Sequence, residues 1–306
     1  MTRHPLRALD LGVRRRIDSL VAGDHEGLRL GVGSEREEAV RYQPGDDVRR
    51  IDWNISARSN DLHVWRPRAD NQLDTWVLLD ATPSMAFGTV STEKYGLATQ
   101  LTQAIGVLTD APGNRLGVVT FGPDGLRWHR PDRSRLAAHR MARALAEGPR
   151  TGTGGPSLAA AIDAFAAHRH RPGLRVVVSD FLDPNGTHEA PFDWHRPLRH
   201  LAARHDVIAV EVIDPRELEL PDVGSVVLVD PESGRQRNVW TSDAKLRRRY
   251  ADAAAAYRAA VAAAIRASGA EHLSVSTGRD WVRDLARFVR TRRRTVRRHR
   301  RGGSAR

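Results

Sequence analysis

The chain has 306 residues, a formal net charge of +12, 40% hydrophobic residues and no cysteine. The length holds one large domain or two modest ones. The lack of cysteine excludes disulfides, thiolate metal sites and thiol nucleophiles, so a bound metal would need oxygen or histidine donors. No apolar run approaches the ~18–20 residues that cross a bilayer, and the N-terminal stretch is too interrupted by charge for a signal peptide, so a soluble, cytoplasmic protein is expected.

The first 75 residues lack a regular strand–helix rhythm. They read as a helix over 6–22 and short strands near 27–32, 36–43 and 62–68. Within them, REEAVRYQPGDDVRRIDWNISAR (36–58) is the most distinctive stretch of the chain. Pro44-Gly45-Asp46-Asp47 signals a turn. Around it, Arg41, Asp47, Arg49, Asp52 and Arg58 are placed for an ion-pair network about a buried Trp53. The other reading of these residues is a docking surface.

From Trp76 onward, strands and helices alternate. WVLLD (76–80) is a buried parallel strand ending in a carboxylate. Residues 91–110 form an amphipathic helix, capped by Ser91 or Thr92 and broken at Pro112-Gly113-Asn114. RLGVVTF (115–121) is a strand that turns at Pro123-Asp124-Gly125 into the second arm of a hairpin. Helices are expected at 133–147 and 156–169, then the strand LRVVVSD (174–180), a helix near 194–204 and the strand DVIAVEVID (206–214). A hairpin pairs 225–230 with 235–240, followed by a helix over 242–268, a strand at 272–277 and a closing helix.

This alternation predicts an α/β fold with a mostly parallel, doubly wound sheet and a small β-rich N-terminal extension. The expected division is 1–70 for the extension, 71–289 for the α/β domain and 290–306 for a basic, solvated and disordered tail. That tail carries nine arginines and no acid, so most of the net charge sits there. It could contact RNA, DNA or an anionic surface. Lysine occurs only at Lys94 and Lys245, and this bias toward arginine reads as genome composition rather than as selection for a ligand.

Ligands in such sheets bind beyond the carboxyl ends of the strands, where Asp80 and Asp180 are expected. Asp80-Ala81-Thr82-Pro83-Ser84 follows the first core strand directly. Alternate residues of such a turn point inward, so one carboxylate and two hydroxyls converge, a donor set for Mg²⁺ or Mn²⁺. The same groups could serve only as helix caps and turn bonds.

This string resembles the metal-ion-dependent adhesion site of von Willebrand factor A domains: Asp-x-Ser-x-Ser, a distant threonine and a distant aspartate. Asp80, Thr82 and Ser84 match the first part and Asp180 the last. At the family's Gly-Gly-Thr-x-Leu string this chain reads Gly154-Gly155-Pro156-Ser157-Leu158, with proline at the threonine position. Thr153 and Ser157 are the hydroxyls that could stand in.

The 36–58 segment is similar to the signature of the domain of unknown function 58 family. It matches at Arg41, Tyr42, Gly45, Asp46, Asp47, Arg49, Ile51, Asp52, Trp53, Ala57 and Arg58, and again at DATPSM, Lys94, LGVVTF and VVVSDF. The resemblance implies a von Willebrand factor A-like domain acting as a protein-binding adaptor, with a MoxR-type AAA+ ATPase as partner.

Enzyme motifs are sparse. There is no HExxH, P-loop, Gly-x-Ser-x-Gly elbow or dinucleotide fingerprint. A phosphohydrolase using Asp80 as nucleophile would need a second aspartate where Thr82 stands, and neither Lys94 nor Lys245 lies in a suitable motif. The expectation is a non-enzymatic module.

Overall fold

The computed structural model describes residues 37–302, apart from 45–46, 60, 68–73, 91, 110–113, 134–144, 146–147, 150–151, 153, 169–172, 183–188 and 231–233. The helix expected over 6–22 and the strand near 27–32 lie outside the described residues, as does most of the helix expected at 133–147.

Two short strands, β1 (Glu37–Arg41) and β2 (His63–Pro67), pair antiparallel in a sheet of their own. Between them lie a 3-10 turn, Val48–Arg50, and helix α1 (Trp53–Ser59). The main body follows as β3 (Asp74–Asp80), α2 (Lys94–Leu108), β4 (Arg115–Gly122), β5 (Gly125–Arg133), α3 (Leu158–Ala167), β6 (Leu174–Ser179), α4 (His195–Ala202) and β7 (Asp206–Ile213). It closes with the hairpin β8 (Ser225–Val229) and β9 (Gln236–Trp240), then α5 (Ala244–Ala267), β10 (Glu271–Ser276) and α6 (Trp281–Gly302).

The central sheet has six strands in the order β10-β7-β6-β3-β4-β5. All neighbours run parallel except β4 and β5, the hairpin expected from the Pro-Asp-Gly turn. The strands are apolar throughout because both faces are covered. Along β3, Val77 and Leu79 enter one core with Leu97, Leu101 and Ile105 of α2 and with Val282, Leu285 and Val289 of α6. Trp76 and Leu78 enter a second core on the opposite face, with α3 (Ile162, Phe165), α4 (Leu198, Leu201) and α5 (Val261, Ile265). This is the doubly wound arrangement predicted from the strand–helix rhythm.

From β3 the chain first moves outward to β4 on one side, and later returns to place β6 on the other. The carboxyl ends of β3 and β6 therefore flank the point where the strand order reverses, the usual place for a ligand in an open α/β sheet. The last helix differs from the sequence expectation: it continues to Gly302, through most of the stretch read as a solvated extension. Arginine is a good helix former, so a helix already nucleated by packing can propagate into an arginine-rich run.

Candidate functional site at the carboxyl edge of the sheet

β3 delivers Asp80 to the edge in register with Phe121 of β4, and its side chain is buried. The chain then turns through a 3-10 segment, Pro83–Ala86, whose N-cap is Thr82. Both the backbone N–H and Oγ1 of Thr82 donate to Asp80 Oδ1, at 2.9 and 2.6 Å. From the neighbouring strand, Ser179 Oγ donates to Asp80 Oδ2 at 2.6 Å. Thr82 Oγ1 lies 3.1 Å from Ser84 Oγ, and the Ser84 hydroxyl bonds the carboxylate of Asp180. The structure thus brings together Asp80, Thr82, Ser84 and Asp180.

Ser157 is not among them in any described contact. It is the N-cap of α3 and accepts from the Ala160 N–H at 3.2 Å. Pro156 directly before the cap suits a helix start, and the hydroxyl is committed to the helix's own free donor. Thr153 lies outside the described residues.

Behind the aspartates lies a buried charge network that the sequence reading does not assemble. Lys94, first residue of α2, is fully buried. Its Nζ donates to Asp180 Oδ2 at 2.7 Å and also bonds Glu217. The other oxygen of Glu217 accepts from the Asp214 N–H at 3.1 Å and from Arg258 Nη2 at 3.3 Å. Arg258 Nη1 reaches the Asp180 carbonyl at 2.7 Å and Glu211 at 3.2 Å, and Glu211 meets His272 Nε2 at 3.0 Å. Asp214 gathers Thr89 and Thr277, tying the loop after β3 to the ends of β7 and β10.

The backbone at Asp180 is itself unusual. Phe181 has φ 55°, in the left-handed region that costs a non-glycine residue energy. Its carbonyl accepts from Tyr257 Oη at 2.5 Å and its N–H donates to Ser179 Oγ at 3.0 Å. With Phe181 buried and Arg258 holding the preceding carbonyl, α5 fixes the strained turn that aims Asp180 at the site.

The electrostatics follow from these contacts. Burial, then the charge of Asp180, pushes Asp80 up to about 7, against the hydrogen bonds from Ser179 and Thr82. Burial would also raise Asp180, but the Lys94 ammonium outweighs it and holds the group below the usual carboxylate range. Burial works against the Lys94 charge, yet Asp180 and Glu217 raise its pKa. Burial raises Glu217 despite its cationic partners. Among the described residues no lysine or arginine contacts Asp80, and no three histidine, cysteine or acidic side chains gather as a metal cluster.

Apolar side chains are exposed on segments that leave this edge. Phe87 and Val90 sit on the loop after β3. The β8–β9 hairpin, entered from the end of β7, exposes Val227, Val229 and Trp240, with Val223 just before it. Val227 and Val229 share one hairpin face with Trp240, as the pairing Ser225↔Trp240 and the alternation along β8 require.

The 36–58 segment differs from expectation. Trp53 is 69% exposed rather than buried. Among the described residues Arg41 pairs with Asp61, while Asp47, Arg49, Asp52 and Arg58 form no ion pair with one another. The two aspartates act as caps instead. Asp47 accepts from the Arg49 N–H at 3.0 Å, and Asp52 accepts from the N–H groups of Asn54 and Ile55 at 2.8 and 3.0 Å. A carboxylate next to free N–H groups at a helix start satisfies donors that have no other partner. Asp46 lies outside the described residues.

Of the groups that the sequence reading missed, Lys94 left a trace, as one of only two lysines in an arginine-rich chain. Glu217 and Arg258 left none, because their meeting depends on how α5 crosses the sheet.

An uncharacterized protein of Mycobacterium tuberculosis, Rv1480, is 46% identical over 290 residues, covering 94% of this chain and 89% of its own. Among solved structures, BatB of Bacteroides thetaiotaomicron, a conserved hypothetical protein, is similar at a TM-score of 0.44 and 12% identity, over 72% of this chain and 98% of that one. A von Willebrand factor type A structure from Catenulispora acidiphila is similar at a TM-score of 0.37 and 14% identity, over 72% of this chain and 42% of its own. The family described as "Protein of unknown function DUF58" matches residues 38–260, and the chain belongs to that family.

Proposed function

We propose that this protein is a non-enzymatic interaction module that receives a partner protein at the carboxyl edge of its sheet. In this reading Asp80, Thr82 and Ser84 hold Mg²⁺ or Mn²⁺ there, with Asp180 behind them. The partner is a MoxR-type AAA+ ATPase, as the family resemblance implies.

One observation carries the metal part of this reading. The Thr82 hydroxyl donates to Asp80 and the Ser84 hydroxyl bonds Asp180, so the two hydroxyls bridge the two carboxylates. The two hydroxyl oxygens lie 3.1 Å apart, in hydrogen-bond contact with either able to donate. Neighbouring ligands of an octahedral ion with bonds of about 2.1 Å sit about 3 Å apart, so this spacing suits a hard cation. Asp80 supplies the negative charge, and its raised pKa is what a buried carboxylate shows without a cationic neighbour. When bound, such an ion offers an open coordination position to an acidic group of the partner. The exposed Phe87 and Val90, on the loop that follows Ser84, supply apolar contact beside it.

The test is a pull-down of the ATPase with wild type and Asp80→Ala, each with Mg²⁺ or with EDTA. Binding should fall at least about tenfold on chelation and on substitution. Unchanged capture in all four samples would sink the metal-bridged reading.

A further inference from the structure

Lys94 is the buried cation that touches the Asp180 carboxylate at this edge. Its ammonium is 0% exposed, touches Asp180 at 2.7 Å and bonds Glu217, and lies 5.9 Å from the centre of the Phe87 ring. It therefore offsets the charge of Asp180, the carboxylate that acts on Asp80, and leaves Asp80 as the uncompensated one of that pair. Ser84 joins the two halves, because its hydroxyl bonds Asp180 and its oxygen faces Thr82. A divalent ion in the cradle would sit only a few hydrogen-bond lengths from a fixed positive charge, in a place shielded from water. Like charges in such surroundings repel strongly.

We propose that Lys94 is an internal counter-cation that competes with divalent metal for this pocket, setting the affinity low and keeping Asp180 from acting as a ligand. This rests on the reading of Asp80, Thr82 and Ser84 as a cation cradle. The residue type fits the role. All but two of the 49 basic residues are arginine, and the one lysine in the core stands where a compact point charge must reach two carboxylates at once. A planar guanidinium would need more room beside the Phe87 ring and the Asp180 turn. The ammonium also bonds Glu217 in the 3-10 turn Pro215–Glu217, so it fixes the loop leading from β7 toward the exposed hairpin.

The experiment compares Mn²⁺ binding by calorimetry and Mn²⁺-dependent melting in wild type, Lys94→Gln, Lys94→Met and Lys94→Arg. Glutamine keeps a donor for Asp180 where methionine does not. The neutral variants should bind Mn²⁺ at least about tenfold more tightly than wild type and gain more melting temperature from it. The arginine variant, where folded, should stay near wild type. Binding by the neutral variants and none by wild type supports the competition and overturns the resident-metal reading. Equal affinity in wild type and neutral variants overturns the competition and leaves the cradle standing. No binding by any of them overturns both. Neutral variants that stay unfolded even in Mn²⁺ also overturn it, since the metal would then be unable to take the ammonium's place.

Discussion

At Asp80, desolvation and a neighbouring carboxylate oppose three donated hydrogen bonds, and the first two win. The consequence for stability has a definite sign. An aspartate whose folded pKa is raised from 3.8 to about 7 binds more protons in the folded state across that interval. In metal-free buffer its contribution therefore erodes as pH rises from about 4 to about 7, then levels off. Asp80→Asn removes this loss, and the Ser179 hydroxyl can turn to accept from the new amide. Urea denaturation in EDTA should show the variant gaining on wild type with rising pH, by about 1–4 kcal/mol above pH 7. A constant difference between pH 4.5 and pH 8 would show that Asp80 is not the titrating group. The Asp80-x-Thr82-x-Ser84 spacing was legible because alternate residues of a strand-to-helix turn face one way. The Lys94 pairing was not, since a lysine in the first turn of an amphipathic helix normally reads as solvated. Nor could the left-handed Phe181 be foreseen, because aromatic residues rarely adopt that backbone and here α5 imposes it from outside.

For single elements, the 36–58 segment shows why charge spacing alone misleads. Arg49, Asp52 and Arg58 look like partners in the sequence, but the nearest unsatisfied groups for Asp52 are backbone N–H donors of its own helix. Local capping wins because it orders fewer long side chains than an exposed ion pair would. Asp52→Ala should cost about 0.5–2 kcal/mol in chemical denaturation, and Asp52→Asn should recover most of it. An ion-pair role would instead make asparagine as poor as alanine. Trp53→Ala should change stability by less than about 0.5 kcal/mol, since the ring is mostly in solvent. A marked loss of ATPase capture in this variant, with stability intact, would assign the exposed ring to docking. The strands of the central sheet and the helices α2 to α5 were readable to within a few residues, because a buried parallel strand is apolar end to end and its helices repeat at 3.6. The hairpin β8–β9 was readable as an element, but its exposed Val227, Val229 and Trp240 were not, since exposure depends on what packs nearby.

Across the whole molecule, the sheet separates two ends of different make-up. The carboxyl edge gathers Asp80, Asp180, Lys94 and Glu217. At the amino ends of β7 and β10, Arg292 of α6 bonds Glu271 at 2.9 Å and also pairs with Asp206. These carboxylates are 40 and 47% exposed, so the pairs contribute modestly, about 1 kcal/mol together. Arg292→Ala should speed amide exchange along the end of α6 while leaving the response to Mn²⁺ at the opposite edge unchanged. An altered Mn²⁺ response would mean that the two ends are coupled through the core. Among the described residues no helix is long and apolar enough to cross a membrane.

The burial of Lys94 also makes it a chemical clock. With only two lysines in the chain and Lys245 exposed, an amine-directed acylating reagent should modify Lys245 at once. The Lys94 amine, charged and sealed, should react only in molecules where the loop after β3 has swung open. The slow rise in the modified fraction of the peptide carrying Lys94 would then report the rate of opening. Anything that clamps the carboxyl edge, whether a metal or a docked partner, should lengthen that clock.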